Sequence, residues 1–341
     1  MITTATTLHD IKQDKILKEV WPYLIYNTTG DGAGNFVDDS LTLNDIQKKN
    51  PTWLADDMAY GLNTIIEMTE QLDGSGMSFL NSVYSDKEIA DDSERACVKL
   101  MFFPSVKEKK INKTAILAAG GGYGAVCSMC EAFPVAARLR ELGIDVFCLN
   151  YRVASNPPLF PKPFEDMAAA VRYLVKNKDY FGISMENYGV GGFSAGGHLA
   201  SCWGTSELGY RKYNLPKPDL LLLAYPLINV WKTLSQLPKS IRDLMLTGYF
   251  GDDATESMCR KYNVDEHVDG EYPTAYIVQA ENDTTVPVCN TKDMAKILKE
   301  LNIKCQYELV QDGGHGFGLG TNTSAEGWVD RACEFWLSLD E

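Results

Sequence analysis

Hydrophobic and polar positions along the chain change their rhythm near residue 76. Before that point apolar residues recur at helical spacing. IKQDKILKEVW predicts one helix, LTLNDIQKKN a second opened by Thr42 as N-cap, and PTWLADDMAYGLNTIIEMTEQ a third beginning at Pro51. The segment DGSG, residues 73–76, ends this helical stretch. DGAGNFVDD (31–39) has a superficial likeness to a calcium loop. Ala33 and Phe36 stand where a ligand side chain and a glycine are needed, so it reads as a flexible connection.

From residue 77 onward, apolar runs alternate with helical patterns. MSFLNSVY, ACVKLMFFPSV, KTAILA, DVFCLNYRV, YGVGGF, DLLLLAYPLI, TAYIVQA and CQYELVQ predict strands. Helices are predicted over 131–142, 164–177, from Ser194 onward, 288–301 and 325–337. This alternation predicts an α/β fold: a mostly parallel central sheet with helices on both faces. Functional groups in such a sheet lie beyond the carboxyl ends of the strands. Residues 230–270 carry no strand pattern and read as a small cap-like insertion over that edge. The expected organisation is a helical N-terminal extension, 1–76, packing on a core domain, 77–341.

Composition narrows the function. With 341 residues and 45% hydrophobic content the chain can bury a sizeable core, which excludes intrinsic disorder. A net charge of -14 disfavours nucleic acid and anionic membranes as partners, because both are bound through Lys and Arg. It suits a small neutral ligand; exposed apolar edges, rather than charge, would support a homo-oligomer. No window approaches 18 uninterrupted apolar residues, and the N-terminus lacks the basic and apolar regions of a secretory signal. Nine scattered cysteines read as reduced thiols of a cytoplasmic protein. CSMC (127–130) has no second cysteine pair or adjacent histidine, so no metal and no cofactor is expected there.

The chemistry concentrates in YGVGGFSAGGHLAS. Gly192-Phe193-Ser194-Ala195-Gly196 satisfies G-x-S-x-G directly after a predicted strand and before a predicted helix. There a sharp turn lifts a serine hydroxyl above the sheet, and the helix N-terminus favours developing negative charge. A hydroxyl needs a base, and the chain has four histidines: His9, His198, His267 and His315. His9 falls in the helical extension, His198 four residues after the serine, and His267 in the charged insertion. His315, in QDGGHGFG after the last strand, sits on a glycine-rich loop at the active edge and is the favoured base. Asp283 in ENDTTVP is the favoured orienting acid, with Glu281 the alternative. The order Ser194, Asp283, His315 is that of one serine-hydrolase fold class. After KTAILA, the run AGGGYG lacks nucleotide-loop spacing and suits an oxyanion hole instead. Its expected donors are the backbone N–H groups of Gly121 and Gly122, joined by that of Ala195.

AGGGYG, LNYRVA, FPKPFEDMAAAVRYL, GVGGFSAGGHLA, ENDTTVPV and DGGHGFGLG together resemble the α/β-hydrolases of the esterase/lipase group related to hormone-sensitive lipase. The likeness covers residues 96–341 and is greatest to the acetyl-xylan-esterase-like carbohydrate esterases. By motif match the resemblance places the nucleophile on Ser194, the acid on Asp283, the base on His315, and the oxyanion glycines within 120–122. It implies hydrolysis of short acyl esters, acetyl above all, of small carbohydrates such as acetylated xylo-oligosaccharides. The broader group usually carries histidine where this chain has Ala119, so the loop must be held by other hydrogen bonds. Two other functions fit part of the pattern. A serine peptidase or amidase would use the same triad, although no propeller-like repeats precede it. A non-catalytic binding protein of this fold typically loses a triad member.

Overall fold

Three short runs without a charged side chain, TAILA, GVGGF and LLLLA, are buried at every position and lie side by side. Successive strand residues point to opposite faces, so complete burial means that helices cover both sides of these strands. The computed structural model describes residues 1–27 and 38–340. The 31–39 connection therefore lies largely outside the described residues. In chain order the strands are β1 (Tyr26–Asn27), β2 (Leu80–Ser82), β3 (Lys99–Phe103), β4 (Thr114–Ala118) and β5 (Ala125–Val126). They continue as β6 (Asp145–Asn150), β7 (Gly189–Phe193), β8 (Leu220–Ala224), β9 (Thr274–Ala280) and β10 (Cys305–Val310). Eight of them form one sheet in the order β10-β9-β8-β7-β4-β6-β3-β2. β10 through β6 run parallel, whereas β3 and β2 pair antiparallel. This is an α/β-hydrolase sheet. β4, β7, β9 and β10 all send their carboxyl ends to one rim.

The N-terminal region differs in detail from its sequence pattern. IKQDKILKEVW is two short helices, α1 (Leu8–Gln13) and α2 (Leu17–Val20), rather than one. Asp14 between them is extended, and its carboxylate accepts from the Ile16 and Leu17 N–H groups at 2.9 and 3.0 Å, so it caps the second piece. Helix α3 (Leu43–Lys49) opens as expected on Thr42, in a reciprocal capping box with Asp45. Helix α4 (Ala55–Asp73) starts four residues after Pro51, because the preceding residues form a turn closed by Trp53 N–H on Asn50 O and Gln47 caps Ala55 N–H. Met58, Leu62, Ile65, Met68 and Leu72 give α4 one buried stripe. It packs on α6 (Ala132–Glu141) closely enough that a Cβ on Gly61 would stand 3.0 Å from the Pro134 nitrogen. A short helix α5 (Asp86–Asp91) opens on a Ser85–Glu88 capping box that the hydrophobic pattern does not mark.

The remaining helices are α7 (Lys162–Phe181), α8 (Ser194–Trp203), α9 (Val230–Leu234), α10 (Lys239–Phe250), α11 (Glu256–Arg260), α12 (Cys289–Glu300) and α13 (Trp328–Leu337). Helices α9 to α11 form the insertion after β8. It is anchored by Tyr249, whose hydroxyl donates to Gly122 O at 2.9 Å and whose ring stacks on Phe160. Just past β6, the Arg152 guanidinium meets the fully buried Asp166 of α7 at 2.8 Å, and Asp166 also accepts from Tyr84 O–H. Removing one partner of such a pair leaves an uncompensated charge, so the cluster fixes α7 on the sheet. Among the described residues no helix is long and apolar enough to cross a membrane.

Candidate active site

β7 ends at Phe193 and α8 begins at Ser194 without a loop. The reversal is possible only because Ser194 takes φ 51° and because Gly196 has no side chain: a Cβ there would stand 2.0 Å from Ala118 O. The result is an elbow at the rim, half-buried, with the Ser194 hydroxyl lifted off the sheet. Leu227 N–H donates to Ser194 O at 3.1 Å and ties the elbow to the segment after β8.

His315 arrives from the loop after β10, and its Nε2 lies 2.8 Å from Ser194 Oγ. Its Nδ1 lies 2.8 Å from Oδ2 of Asp283, from the loop after β9. A carboxylate only accepts, so Nδ1 carries the proton and Nε2 is left to accept from the serine hydroxyl. Asp283 is buried and fixed by three further donors: Thr285 N–H and Val286 N–H on Oδ1 at 2.8 and 2.9 Å, and Gln279 Nε2 on Oδ2 at 3.1 Å. Glu281, the alternative acid, is exposed and makes no contact with a histidine among the described residues. It is displaced because it sits on the outer side of the turn that carries Asp283 inward.

The histidine loop is held from three directions. Asn282 Oδ1 accepts from Gly314 N–H at 2.8 Å. Thr52, in the N-terminal region, donates its hydroxyl to His315 O at 2.8 Å. The Tyr225 ring meets the imidazole edge-on at 5.0 Å, while its hydroxyl accepts from Gly318 N–H at 3.2 Å. Neither Thr52 nor Tyr225 was singled out from the sequence. Each acts through a backbone contact distant in the chain, which no spacing rule encodes.

The glycine loop after β4 is braced without the histidine common in the resembling group. Tyr151 O–H donates to Ala119 O at 2.7 Å, and Gly120 N–H donates to Glu131 Oε2 at 2.6 Å. Gly120 is thereby committed. The N–H groups of Gly121 and Gly122, and that of Ala195 at the start of α8, have no internal acceptor among the described residues. They are available to a ligand oxygen. Glu131 is a buried carboxyl that the sequence reading passed over, yet it is the single charged residue between Lys113 and Arg138. A lone charge in such a run was the signal available.

The other histidines lie elsewhere. His9 contacts Asp39, and His267 contacts Glu207. His198 is fully buried in α8 between Tyr123 O–H and Tyr262 O, each 2.7 Å from a ring nitrogen. Burial lowers its pKa to about 4, against the opposing effect of the Tyr262 carbonyl. It is a packing histidine. Cys127 and Cys130 are buried free thiols pushed well up by desolvation. Among the described residues no cluster of three or more His, Cys, Asp or Glu side chains is placed to hold a metal ion.

Comparison with known proteins gives concordant results. The family model described as BD-FAE matches residues 101–298. Endo-1,4-beta-xylanase B of Butyrivibrio fibrisolvens is 28% identical over 218 residues, 61% of this chain and 33% of that protein. Acetylxylan esterase of Xylanibacter ruminicola is 27% identical over 239 residues, 68% of this chain and 46% of that protein. The chain thus spans less than half the length of either relative. The crystal structure of an acetyl ester-xyloside bifunctional hydrolase from Caldicellulosiruptor lactoaceticus shares the fold. It has a TM-score of 0.65 at 24% identity, covering 76% of this chain and 96% of that one.

The buried neutral His198 makes stability depend on pH. Its folded pKa lies below its unfolded value, so its contribution is complete above the unfolded pKa and is lost as pH falls toward about 4. Between about pH 7.5 and about pH 5 this amounts to ~2 kcal/mol. Urea midpoints of the wild type and of His198→Asn, compared at those two pH values, are expected to show the smaller acid loss in the variant. Equal losses would remove this role.

Proposed function

Since the chain belongs to the BD-FAE family, we propose that it is a serine carboxylesterase that removes short acyl groups, acetyl above all, from small carbohydrates. One observation carries the reading: Ser194 Oγ, His315 and Asp283 form a continuous line of hydrogen bonds, 2.8 Å at each link. In this mechanism His315 Nε2 takes the hydroxyl proton as Ser194 Oγ attacks the ester carbonyl carbon. Asp283 holds the imidazole tautomer and stabilises the imidazolium that forms. The carbonyl oxygen becomes an oxyanion held by the N–H groups of Gly121, Gly122 and Ala195. The C–O bond to the alcohol then breaks, and the imidazolium proton passes to the leaving oxygen. Water, deprotonated by His315, attacks the acyl-enzyme and releases the acid and free Ser194. Each oxyanion donor contributes about 3 kcal/mol to such a transition state.

Charge and the named relatives support the same reading. Helix α10 lies over the oxyanion loop, with Tyr249 bonded to Gly122 O and Met245 Cε 3.9 Å from where a Gly122 Cβ would stand. This places the Met245 side chain and the Tyr249 ring at the edge of the space above Gly122. A net charge of -14 repels anionic substrates and leaves neutral sugar esters unaffected. The relatives named acetylxylan esterase and acetyl ester-xyloside hydrolase point to acetylated xylo-oligosaccharides.

Ser194→Ala is expected to reduce kcat on p-nitrophenyl acetate by at least ~10³-fold with an unchanged unfolding transition. Undiminished turnover in that variant would remove Ser194 from the mechanism. In a series of acyl esters from two to ten carbons, kcat/KM is expected to be greatest at the short end. Acetylated xylobiose should be cleaved faster than any aminoacyl amide, and the reverse preference would assign the site to a peptidase or amidase.

A further inference from the structure

Glu131 stands at the N-terminal end of α6, in the layer beneath the loops that build the site. The mechanism above makes no use of it. Its Oε2 accepts from Gly120 N–H at 2.6 Å, and its Oε1 accepts from Tyr225 O–H at 3.1 Å. The same Tyr225 oxygen accepts from Gly318 N–H at 3.2 Å, and the Tyr225 ring packs on His315 and Phe317. Oε1 also lies 3.8 Å from the point where a Cβ on Gly316 would stand, directly after His315. Gly120 in turn leaves no room between this carboxylate and the nucleophile: a Cβ there would stand 2.8 Å from Ser194 Cβ and 3.0 Å from Glu131 Oε2.

We propose that Glu131 is a positioning residue for the reaction. Its buried carboxylate locks the oxyanion loop through Gly120 and the histidine loop through Tyr225, and it faces the imidazolium that forms on His315. This rests on the esterase reading of Ser194, Asp283 and His315. The geometry serves two needs. Committing Gly120 N–H to Glu131 fixes the loop whose Gly121 and Gly122 N–H groups have no internal acceptor among the described residues. Holding Tyr225 from below fixes the floor against which His315 packs. A catalytic geometry loses about 10²-fold for a misplacement of about 1 Å, so a brace shared by both loops bears directly on rate.

The charge has its own effect. The titratable groups facing Glu131 are Tyr225, His315, Cys127, Cys130 and Tyr151, with Asp283 acting on Tyr225 from the far side. Burial pushes the thiols and phenols up, which keeps them neutral, so His315 is the one partner in this set that can become positive. Desolvation raises Glu131 to about 7, opposed by Gly120 N–H, by His315 and by Tyr225 O–H. The carboxylate therefore forms near neutral pH. An anion there favours the protonated imidazole. Removing it lowers the pH at which His315 becomes an active base.

The test is the pH profile of Glu131→Gln on p-nitrophenyl acetate. The amide keeps an acceptor for Gly120 N–H and loses the charge. Its kcat is expected to fall about tenfold or more with KM within about threefold. The acid limb of its kcat/KM profile should move to lower pH, because the anion facing the imidazole is gone. Tyr225→Phe keeps the charge and cuts the tie to the histidine loop, so its kcat should fall while the acid limb stays in place. It also decides the matter if the first variant does not fold. Wild-type kcat with an unmoved acid limb in a folded Glu131→Gln protein, or wild-type kcat in Tyr225→Phe, would overturn the proposal and leave the esterase reading intact. A wild-type protein without Ser194-dependent turnover would take down both.

Discussion

Ser194 is held at φ 51°, a conformation that costs a side-chain-bearing residue about 1–3 kcal/mol, and the rest of the site is arranged around keeping it there. The strand before it and the helix after it leave no slack. Gly196 passes so close to Ala118 O that any side chain would force β4 and α8 apart, and Leu227 N–H fixes the serine carbonyl from the other side. The strained turn raises the hydroxyl to the rim at the start of α8. It also puts the Ala195 N–H, which we propose as the third oxyanion donor, in the first turn of that helix. Without this turn, the hydrogen bond from the Ser194 hydroxyl to His315 would not form.

The supports radiate outward from that point. Asp283 receives four hydrogen bonds, of which one is from His315 and the others come from its own turn and from Gln279. The loop carrying His315 is bonded to Asn282, to Thr52 and, through Gly318, to Tyr225. Thr52, in the turn before α4, precedes the region matched by the family model, so the N-terminal region does more than cover the core: it holds the backbone of His315, the proposed base. α4 reaches that position because Gly61 lets it lie against α6.

Much of this was legible in the sequence. Apolar runs ending in glycine or acidic turns located the strands, and the order Ser194, Asp283, His315 at three strand ends singled out the residues that the structure brings together. Histidine is scarce in this chain, which made the base the easiest member to assign. Other features were opaque for physical reasons. The sequence favoured Asp283 over Glu281, and the structure pairs Asp283 with His315, but why it wins depends on which side of one turn faces inward, which composition does not show. Helix α4 begins at Ala55 because Gln47 Oε1 accepts from the Ala55 N–H while the Thr52 hydroxyl, in the turn before it, donates to His315 O, a partner remote in sequence. The brace at Glu131 depends on burial. A carboxyl at a helix N-terminus is ordinary on a surface and consequential only where water is excluded.

The central claim is that Ser194 and His315 act as one unit rather than as two independent contributors. Residues of that kind show strongly non-additive losses when removed together. The most direct measurement is therefore kcat for Ser194→Ala, His315→Ala and the double variant on the same acetyl ester. The account predicts that the double variant is no slower than the slower single one. Losses that multiply would mean that the hydrogen bond between them is incidental to the chemistry.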